Sequence, residues 1–177
     1  MLQLNILKIS EIFWSVQGEG LRTGEPTIFI RLTGCNLKCE FCDTKYAWEN
    51  GLETTLENIS ARIKKLREKY KTDWVCLTGG EPLIQDVSLL VNQLKSENFK
   101  IQVETNGTKH YSLPIDWYSL SPKPANYFFQ PEYKKEAREV KLIVIRNLKL
   151  ENIIKLRKEF PLKTPIFLQP QSNKKWS

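Results

Sequence analysis

The chain has 177 residues, of which 41% are hydrophobic and 27% charged, and its formal net charge is +7 at pH 7. These proportions exclude a disordered tail, and the length suits one domain over residues 1–177 with no separate binding module. No apolar run approaches the roughly 20 residues of a membrane span, and the first residues lack a secretory signal pattern, so we expect a cytoplasmic protein without a membrane partner.

The predicted elements alternate between strand and helix. Residues 27–32 are rich in β-branched and aromatic side chains and predict the first strand, while apolar residues at spacings of three and four predict a helix over 56–70. Thr54, three residues before Glu57, is expected to begin a capping box for this helix. Further strands are predicted at 74–77, 101–103, 117–120, 140–145 and 166–168, and further helices at 87–94 and 153–160. This alternation predicts an α/β fold with a parallel sheet, because parallel neighbours need crossover helices.

The basic residues are scattered and mixed with glutamate, mainly in the segments 64–69, 134–138 and 155–158. Solvated helix faces account for this pattern better than a continuous RNA-binding surface. We therefore expect no direct binding of nucleic acid.

Five polar or glycine-rich clusters each follow directly after a predicted strand. In parallel sheets and barrels, the carboxyl ends of the strands carry the functional residues. Five clusters at such ends therefore predict one shared site. The clusters are 35–44, 78–82, 104–107, 121–124 and 169–170.

Three of the four cysteines, Cys35, Cys39 and Cys42, lie within eight residues at the spacing C-x3-C-x2-C. A group this compact is unlike a disulfide framework and indicates a metal or cluster site on one loop. Cys76 lies inside a predicted strand, where a buried thiol is ordinary packing, and the single histidine, His110, is far from the triplet. The triplet predicts a [4Fe–4S] cluster with one iron left open, and a four-ligand zinc site is the competing interpretation.

The triplet, with Phe41 directly before Cys42, resembles the signature of the radical S-adenosylmethionine (SAM) superfamily, and residues 78–82 are similar to its glycine-rich motif. The resemblance implies an incomplete parallel-stranded barrel of the TIM type with about six strands. It also implies that the open iron binds the amino and carboxylate groups of SAM, and that one-electron reduction releases a 5′-deoxyadenosyl radical. Gly80 would bring backbone close to the methionine amino group, which suits a residue without a Cβ atom.

Further matches cover nearly the whole chain and resemble the 7-carboxy-7-deazaguanine synthase family. The matching segments are 11–20, Arg31, 43–44, 104–107, 121–123 and 168–170. The family contracts the ring of 6-carboxy-5,6,7,8-tetrahydropterin to 7-carboxy-7-deazaguanine with loss of ammonia, on the route to 7-deazapurine (queuosine-type) tRNA modification. The resemblance implies hydrogen abstraction from C6 of the pterin, a homodimer, and a reductant such as flavodoxin or ferredoxin. It also implies a C-terminal segment that reaches the substrate, whereas this sequence ends at Ser177.

The same resemblance assigns the site residues. Arg31 suits a substrate carboxylate, Gln17 and Glu19 suit the amide-like edge of a pterin, and one hydroxyl is a plausible protein ligand for hydrated Mg2+. The simpler alternatives are a plain turn at 17–20 and a cap or turn role for Thr44. The expected contacts are the three cysteines for the cluster; Thr44 for Mg2+; Val16, Gln17, Gly18, Glu19, Arg31 and Thr78 for substrate; and Gly80, Glu104, Ser121, Pro122, Lys123, Gln169, Pro170, Gln171 and Ser172 for SAM.

Two other functions stay open from the sequence. A small glycyl-radical activating enzyme would share the cluster and the Gly80 motif but would act on a partner protein, whereas Gln17, Glu19 and Arg31 favour a small molecule. A noncatalytic zinc-binding module for RNA would suit the basic charge but would leave the five strand-end clusters unexplained.

Overall fold

A computed structural model describes residues 6–124 and 126–171. Eight strands and four α-helices alternate along most of the chain, joined in places by short 3-10 turns at Gly20–Arg22, Lys45–Trp48 and Pro82–Ile84. The elements are β1 Ile6–Val16, β2 Pro26–Leu32, β3 Leu52–Thr55, α1 Leu56–Tyr70, β4 Trp74–Gly79, α2 Ser88–Ser96, β5 Lys100–Thr105, β6 Trp117–Leu120, α3 Tyr133–Glu136, β7 Ala137–Val144, α4 Leu150–Glu159 and β8 Ile166–Pro170.

The strands form one sheet in the order β3-β1-β2-β4-β5-β6-β7-β8. Every neighbouring pair from β2 to β8 is parallel, which confirms the six predicted strands and the α/β class. The sheet is nevertheless larger than the expected six strands, because β1 and β3 add two antiparallel strands beside β2.

Neither β1 nor β3 was predicted from the sequence. β1 is interrupted by a register shift between Ile9 and Glu11, so its buried positions do not follow a simple alternation of two. β3 has only four residues, none of them buried. The short helix α3 was also not predicted.

The capping box expected at Thr54 and Glu57 is wrong. Thr54 belongs to β3 and pairs with Leu7, so it is part of the sheet. Thr55 is the N-cap of α1 instead, and its hydroxyl accepts a hydrogen bond from the amide of Asn58 at 3.3 Å.

The two faces of the sheet differ in polarity. One face packs against the helices through fully buried apolar side chains, such as Ile30 of β2, Leu77 of β4 and Ile63 of α1. Alternate positions of the strands carry polar groups on the opposite, inner face, including Gln102 of β5 and Glu139 of β7. The helices therefore cover an ordinary core, while the inner face is equipped for polar chemistry.

The loop 17–25 closes the inner face of the sheet at the amino end of the parallel strands. It connects Val16 to Pro26, which is the first residue of β2, so it starts at the amino end of the parallel strands. Arg22 of this loop is 1% exposed and stacks on Trp74 with its guanidinium carbon 3.5 Å from the ring centroid. The amide of Leu21 donates to the Glu139 carboxylate at 2.7 Å. The loop is thus anchored inside the sheet by buried polar contacts.

Gly20 permits this anchoring. Its φ is +70°, and a Cβ atom at this position would lie 2.4 Å from the Glu139 carboxylate.

None of the described helices is both long and apolar enough to cross a membrane.

Candidate active site

The carboxyl ends of the parallel strands surround a cavity of about 420 Å³, a size typical of sites for small molecules. All five strand-end clusters contribute to its lining, which confirms that they share one site. The sequence-predicted site residues all line it, with two exceptions. Pro122 is buried outside the lining, and Ser172 lies outside the described residues.

The cysteine triplet occupies the loop after β2. Cys35, Cys39 and Cys42 are all partly exposed and line the cavity, whereas Cys76 is fully buried in β4 and does not. Cys76 is thus buried as expected, and burial raises the pKa of its thiol well above the ordinary value. Among the described residues, no three His, Cys, Asp or Glu side chains are gathered closely enough to hold a single metal ion. Three thiolate ligands fit a cluster, in which each thiolate binds a different iron, better than a structural zinc site, which takes four ligands.

The cysteine loop is tied to the neighbouring strand ends. The Asn36 side chain donates to the Thr108 hydroxyl at 2.8 Å and accepts from the Asn106 side chain at 3.1 Å. The amide of Glu81 donates to the carbonyl of Gly34 at 2.8 Å. The loop thus has a fixed position relative to β4 and β5.

Gly80 lies directly against this loop. A Cβ atom on Gly80 would be 2.0 Å from the Gly34 carbonyl oxygen and 2.9 Å from the Cβ of Cys35. No other residue type fits here without moving the cysteine loop. The backbone after β4 therefore reaches the cluster site closely enough to contact a molecule bound there.

Glu81 fixes the other side of this turn. Its carboxylate is fully buried and accepts from the Thr105 hydroxyl at 2.7 Å, the Asn106 amide at 2.6 Å and the Leu83 amide at 3.1 Å. Burial raises the pKa of Glu81, although these donors oppose the shift. The carboxylate joins the ends of β4 and β5 and was not among the predicted site residues.

Arg31 enters the cavity from β2 with one edge already occupied. Its Nε donates to the Glu11 carboxylate at 2.6 Å, and the Tyr46 hydroxyl donates to the same oxygen at 2.7 Å. These hydrogen bonds lower the pKa of Glu11 despite the opposing effect of burial. Among the described residues, no protein group accepts a hydrogen bond from the terminal Nη atoms of Arg31. This end of the guanidinium can therefore bind a carboxylate in two-point fashion.

The floor of the cavity is an ion-paired group of three side chains. The Lys141 ammonium on β7 lies 2.7 Å from Glu19 Oε2 and 3.0 Å from Glu104 Oε1. Burial opposes the charge on Glu104, but Lys141 and hydrogen bonds from Thr78 and Gln17 lower its pKa. The two carboxylates in turn raise the pKa of Lys141 against the effect of burial. Lys141 and Glu104 thus stabilise each other's charged forms.

Comparison with known proteins agrees with this geometry. Residues 29–170 match the model of the radical SAM superfamily. The chain is 36% identical over 171 residues to the 7-carboxy-7-deazaguanine synthase of Rickettsia prowazekii, covering 92% of this chain and 72% of that protein. It is 35% identical over 180 residues to the synthase of Aquifex aeolicus, covering 96% and 80%. The crystal structure of QueE from Escherichia coli superposes with a TM-score of 0.81 at 33% identity, covering 96% of this chain and 85% of that one.

The chain belongs to the 7-carboxy-7-deazaguanine synthase family. Membership of the radical SAM superfamily implies a [4Fe–4S] cluster and SAM. The donor set fits both, because three thiols line the cavity and Gly80 lines it directly beside the loop that carries them.

Gln17 belongs to the segment that carries the family resemblance. Its side chain is less available for hydrogen bonds to a substrate than its residue type suggests. It is 3% exposed, and its side-chain NH2 donates to Glu104 at 3.2 Å and Gln102 at 3.3 Å. Its side-chain oxygen accepts from the amide of Glu19 at 3.2 Å. Both ends of the amide are therefore bonded to protein in this structure, where they hold Glu19 and Glu104 in place. The alternative of a simple turn at 17–20 does not describe this buried arrangement.

Thr44, the residue that the family resemblance assigns to Mg2+, lies two positions after Cys42. It precedes the 3-10 turn Lys45–Trp48, but its side chain makes no capping hydrogen bond to that turn. Its hydroxyl donates to the Asp43 carboxylate at 2.7 Å, and both residues line the cavity. The hydroxyl oxygen lies beside a carboxylate, which is the type of oxygen environment that Mg2+ prefers.

Lys141 is the main cavity residue that sequence reasoning missed. It lies within the predicted strand 140–145, next to the apolar residues Val140 and Leu142. A lysine inside an otherwise apolar strand was the available signal, because a buried lysine needs a partner. Its partners Glu19 and Glu104 are distant in sequence, so only the folded chain identifies them.

Proposed function

We propose that this chain converts 6-carboxy-5,6,7,8-tetrahydropterin to 7-carboxy-7-deazaguanine with loss of ammonia, in 7-deazapurine (queuosine-type) biosynthesis. The observation that supports this most is the joint lining of one cavity by the cysteine triplet and by Arg31 and Glu19. A cluster site and groups suited to a carboxylated pterin therefore face the same space. The family's shared identity over most of the chain supports the same reaction.

The cofactor end of the cavity would be formed by the three cysteines, Gly80 and Lys123. The cysteines would hold the cluster, and the backbone of Gly80 would receive the SAM amino group. When bound, the cluster and SAM supply the 5′-deoxyadenosyl radical that removes a hydrogen atom from C6 of the pterin. Lys123 donates to the Ser121 hydroxyl at 2.6 Å, which orients both predicted SAM contacts. Glu104 and residues 169–171 would complete the SAM site from β5 and β8.

The substrate end would use the free end of Arg31 for the pterin carboxylate. Glu11 fixes the other edge of the guanidinium, so little side-chain freedom is lost when the carboxylate binds. Glu19 is held in place by its ion pair with Lys141 and would accept hydrogen bonds from the pterin N–H groups. The residues from 16 to 18 and Thr78 line the same cavity.

The Thr44 hydroxyl would bind Mg2+ together with substrate oxygens and water. The hydrogen bond to Asp43 would direct the hydroxyl oxygen toward the ion. Since Mg2+ keeps several waters in most protein sites, one hydroxyl ligand is sufficient.

We also propose that residues 1–177 act as one catalytic unit, that the enzyme is a cytoplasmic homodimer, and that a flavodoxin or ferredoxin reduces its iron–sulfur cluster. These proposals follow the family resemblance. Neither the activating-enzyme nor the zinc and RNA-binding alternative is favoured by the relatives that the chain matches.

The test is anaerobic purification and reconstitution, followed by iron and sulfide analysis and incubation with the carboxypterin, SAM, Mg2+ and a reductant. Mass spectrometry should detect 7-carboxy-7-deazaguanine together with 5′-deoxyadenosine. A fully loaded cluster that cleaves SAM but leaves the carboxypterin unchanged would contradict the proposed substrate.

A further inference from the structure

Lys141 connects two groups of residues that the proposed function treats as separate. Its ammonium binds Glu19, which belongs to the substrate group, and Glu104, which belongs to the SAM group. The Lys141 side chain is 5% exposed, compared with 39% for Glu19 and 21% for Glu104. The buried cation therefore lies behind two carboxylates that open onto the cavity.

The connection extends through the other contacts of Glu104. Its Oε1 also accepts from the Gln17 side chain at 3.2 Å, and its Oε2 accepts from the Thr78 hydroxyl at 3.0 Å. Both donors belong to the expected substrate group. Glu104, which the proposed function assigns to SAM, thus has protein donors that the same proposal assigns to the substrate, and Lys141 pairs with both Glu104 and Glu19.

We propose that Lys141 is a positioning residue that couples the binding of SAM to the binding of the pterin, an inference that rests on the proposed function. Both carboxylate oxygens lie within 3.0 Å of one nitrogen. Without that nitrogen, two negative groups would face each other in a partly buried space, and one of them would take up a proton or turn away. Either result removes a hydrogen-bond acceptor from one ligand site. The carboxylate of the other ligand site is the cause of that loss.

Coupling of this kind is reciprocal. A pterin that donates hydrogen bonds to Glu19 changes how Lys141 is shared between Glu19 and Glu104, and this changes the affinity for SAM. By linkage, bound SAM changes the affinity for the pterin by the same factor. The affinity for SAM should therefore differ with and without bound pterin. This ratio is the quantity that Lys141 is expected to control.

The experiment measures SAM dissociation constants by anaerobic equilibrium dialysis of the cluster-loaded enzyme, with the cluster kept oxidised so that SAM is not cleaved. Each measurement is made with and without the carboxypterin. For Lys141→Met we expect SAM to bind about tenfold or more weakly and the effect of pterin on SAM affinity to disappear. The matched control is Lys95→Met, which removes a lysine paired with Asp116 at 2.8 Å outside the cavity and should leave both values unchanged.

Two further variants separate positioning from a structural role. Glu19→Gln keeps Lys141 on Glu104, so SAM affinity should stay near the wild-type value while pterin affinity and the coupling both fall. Adding Glu19→Gln to Lys141→Met removes the facing like charge and should recover part of the lost SAM affinity. A general loss of packing would not be relieved by a second substitution. If Lys141→Met fails to fold, Glu19→Gln alone still tests the coupling.

The inference is overturned if wild-type SAM affinity is independent of pterin, or if Lys141→Met keeps both the affinity and its dependence on pterin. Failure of the proposed function has a different signature, because wild-type enzyme would then bind SAM normally while neither binding the carboxypterin nor converting it.

Discussion

The Nε of Arg31 donates to the Glu11 carboxylate at 2.6 Å, across the antiparallel pair of β1 and β2. The Tyr46 hydroxyl contacts the same carboxylate oxygen from the turn after the cysteine loop. The guanidinium therefore approaches the cavity with its orientation fixed by two elements.

The first prediction concerns Glu11→Gln. This change weakens the charge-assisted bond to Arg31, so the KM for the carboxypterin should rise about tenfold while the SAM dissociation constant stays near wild type. Steady-state kinetics and SAM dialysis provide the two values. Equal weakening of both ligands would show that Glu11 supports the whole cavity and not Arg31 alone.

A second prediction separates the cysteines. Cys39→Ala should abolish the cluster and turnover, because one iron loses its protein ligand. Cys76→Ala is the matched control, and it should retain the full iron and sulfide content with a stability loss of about 1 kcal/mol from a small buried space. Iron analysis and the visible absorbance of the cluster decide the outcome, and a fully active Cys39→Ala enzyme would remove the cluster assignment.

The third prediction concerns Gly80→Ala. The added methyl group would lie 2.0 Å from the Gly34 carbonyl oxygen, so the cysteine loop must move away from β4. We expect SAM binding to weaken by about a hundredfold or more, because the backbone contact and the loop position change together. Gly24→Ala is the control, since its φ of +91° strains the backbone of an alanine while its added methyl group would meet no atom within 4 Å. Comparable SAM affinity in the two variants would contradict a close approach at Gly80.

The fourth prediction tests magnesium at Thr44. Thorough chelation should abolish most of the turnover, and added Mg2+ should restore it. Thr44→Val keeps the side-chain shape but removes the hydroxyl ligand, so it should need a much higher Mg2+ concentration, whereas Thr44→Ser should behave like wild type. Turnover that is insensitive to chelation in the wild-type enzyme would remove the ion from the reaction.

The sequence predicted the parts of the site that lie close together along the chain. The spacing from Cys35 to Cys42 indicates a cluster by itself, because one loop brings its three thiols together. The six parallel strands were also predictable, since each is a short apolar run and five of them are followed by a polar or glycine-rich cluster. β1 was not, because its register shift at Ile9 and Glu11 interrupts the alternation on which the prediction depends.

By itself, then, the sequence determined the fold class, and it predicted the cluster ligands and the edge of the sheet where the chemistry is expected, because those features are encoded in local spacing. Only the tertiary structure decided how the loop 17–25 and β7 complete the cavity. The loop enters from the opposite end of the strands, and Gly20 allows it to meet Glu139. The pairing of Lys141 with Glu19 spans 122 positions and that with Glu104 spans 37, and contacts over such separations depend on strand order and side-chain direction, which no local pattern records.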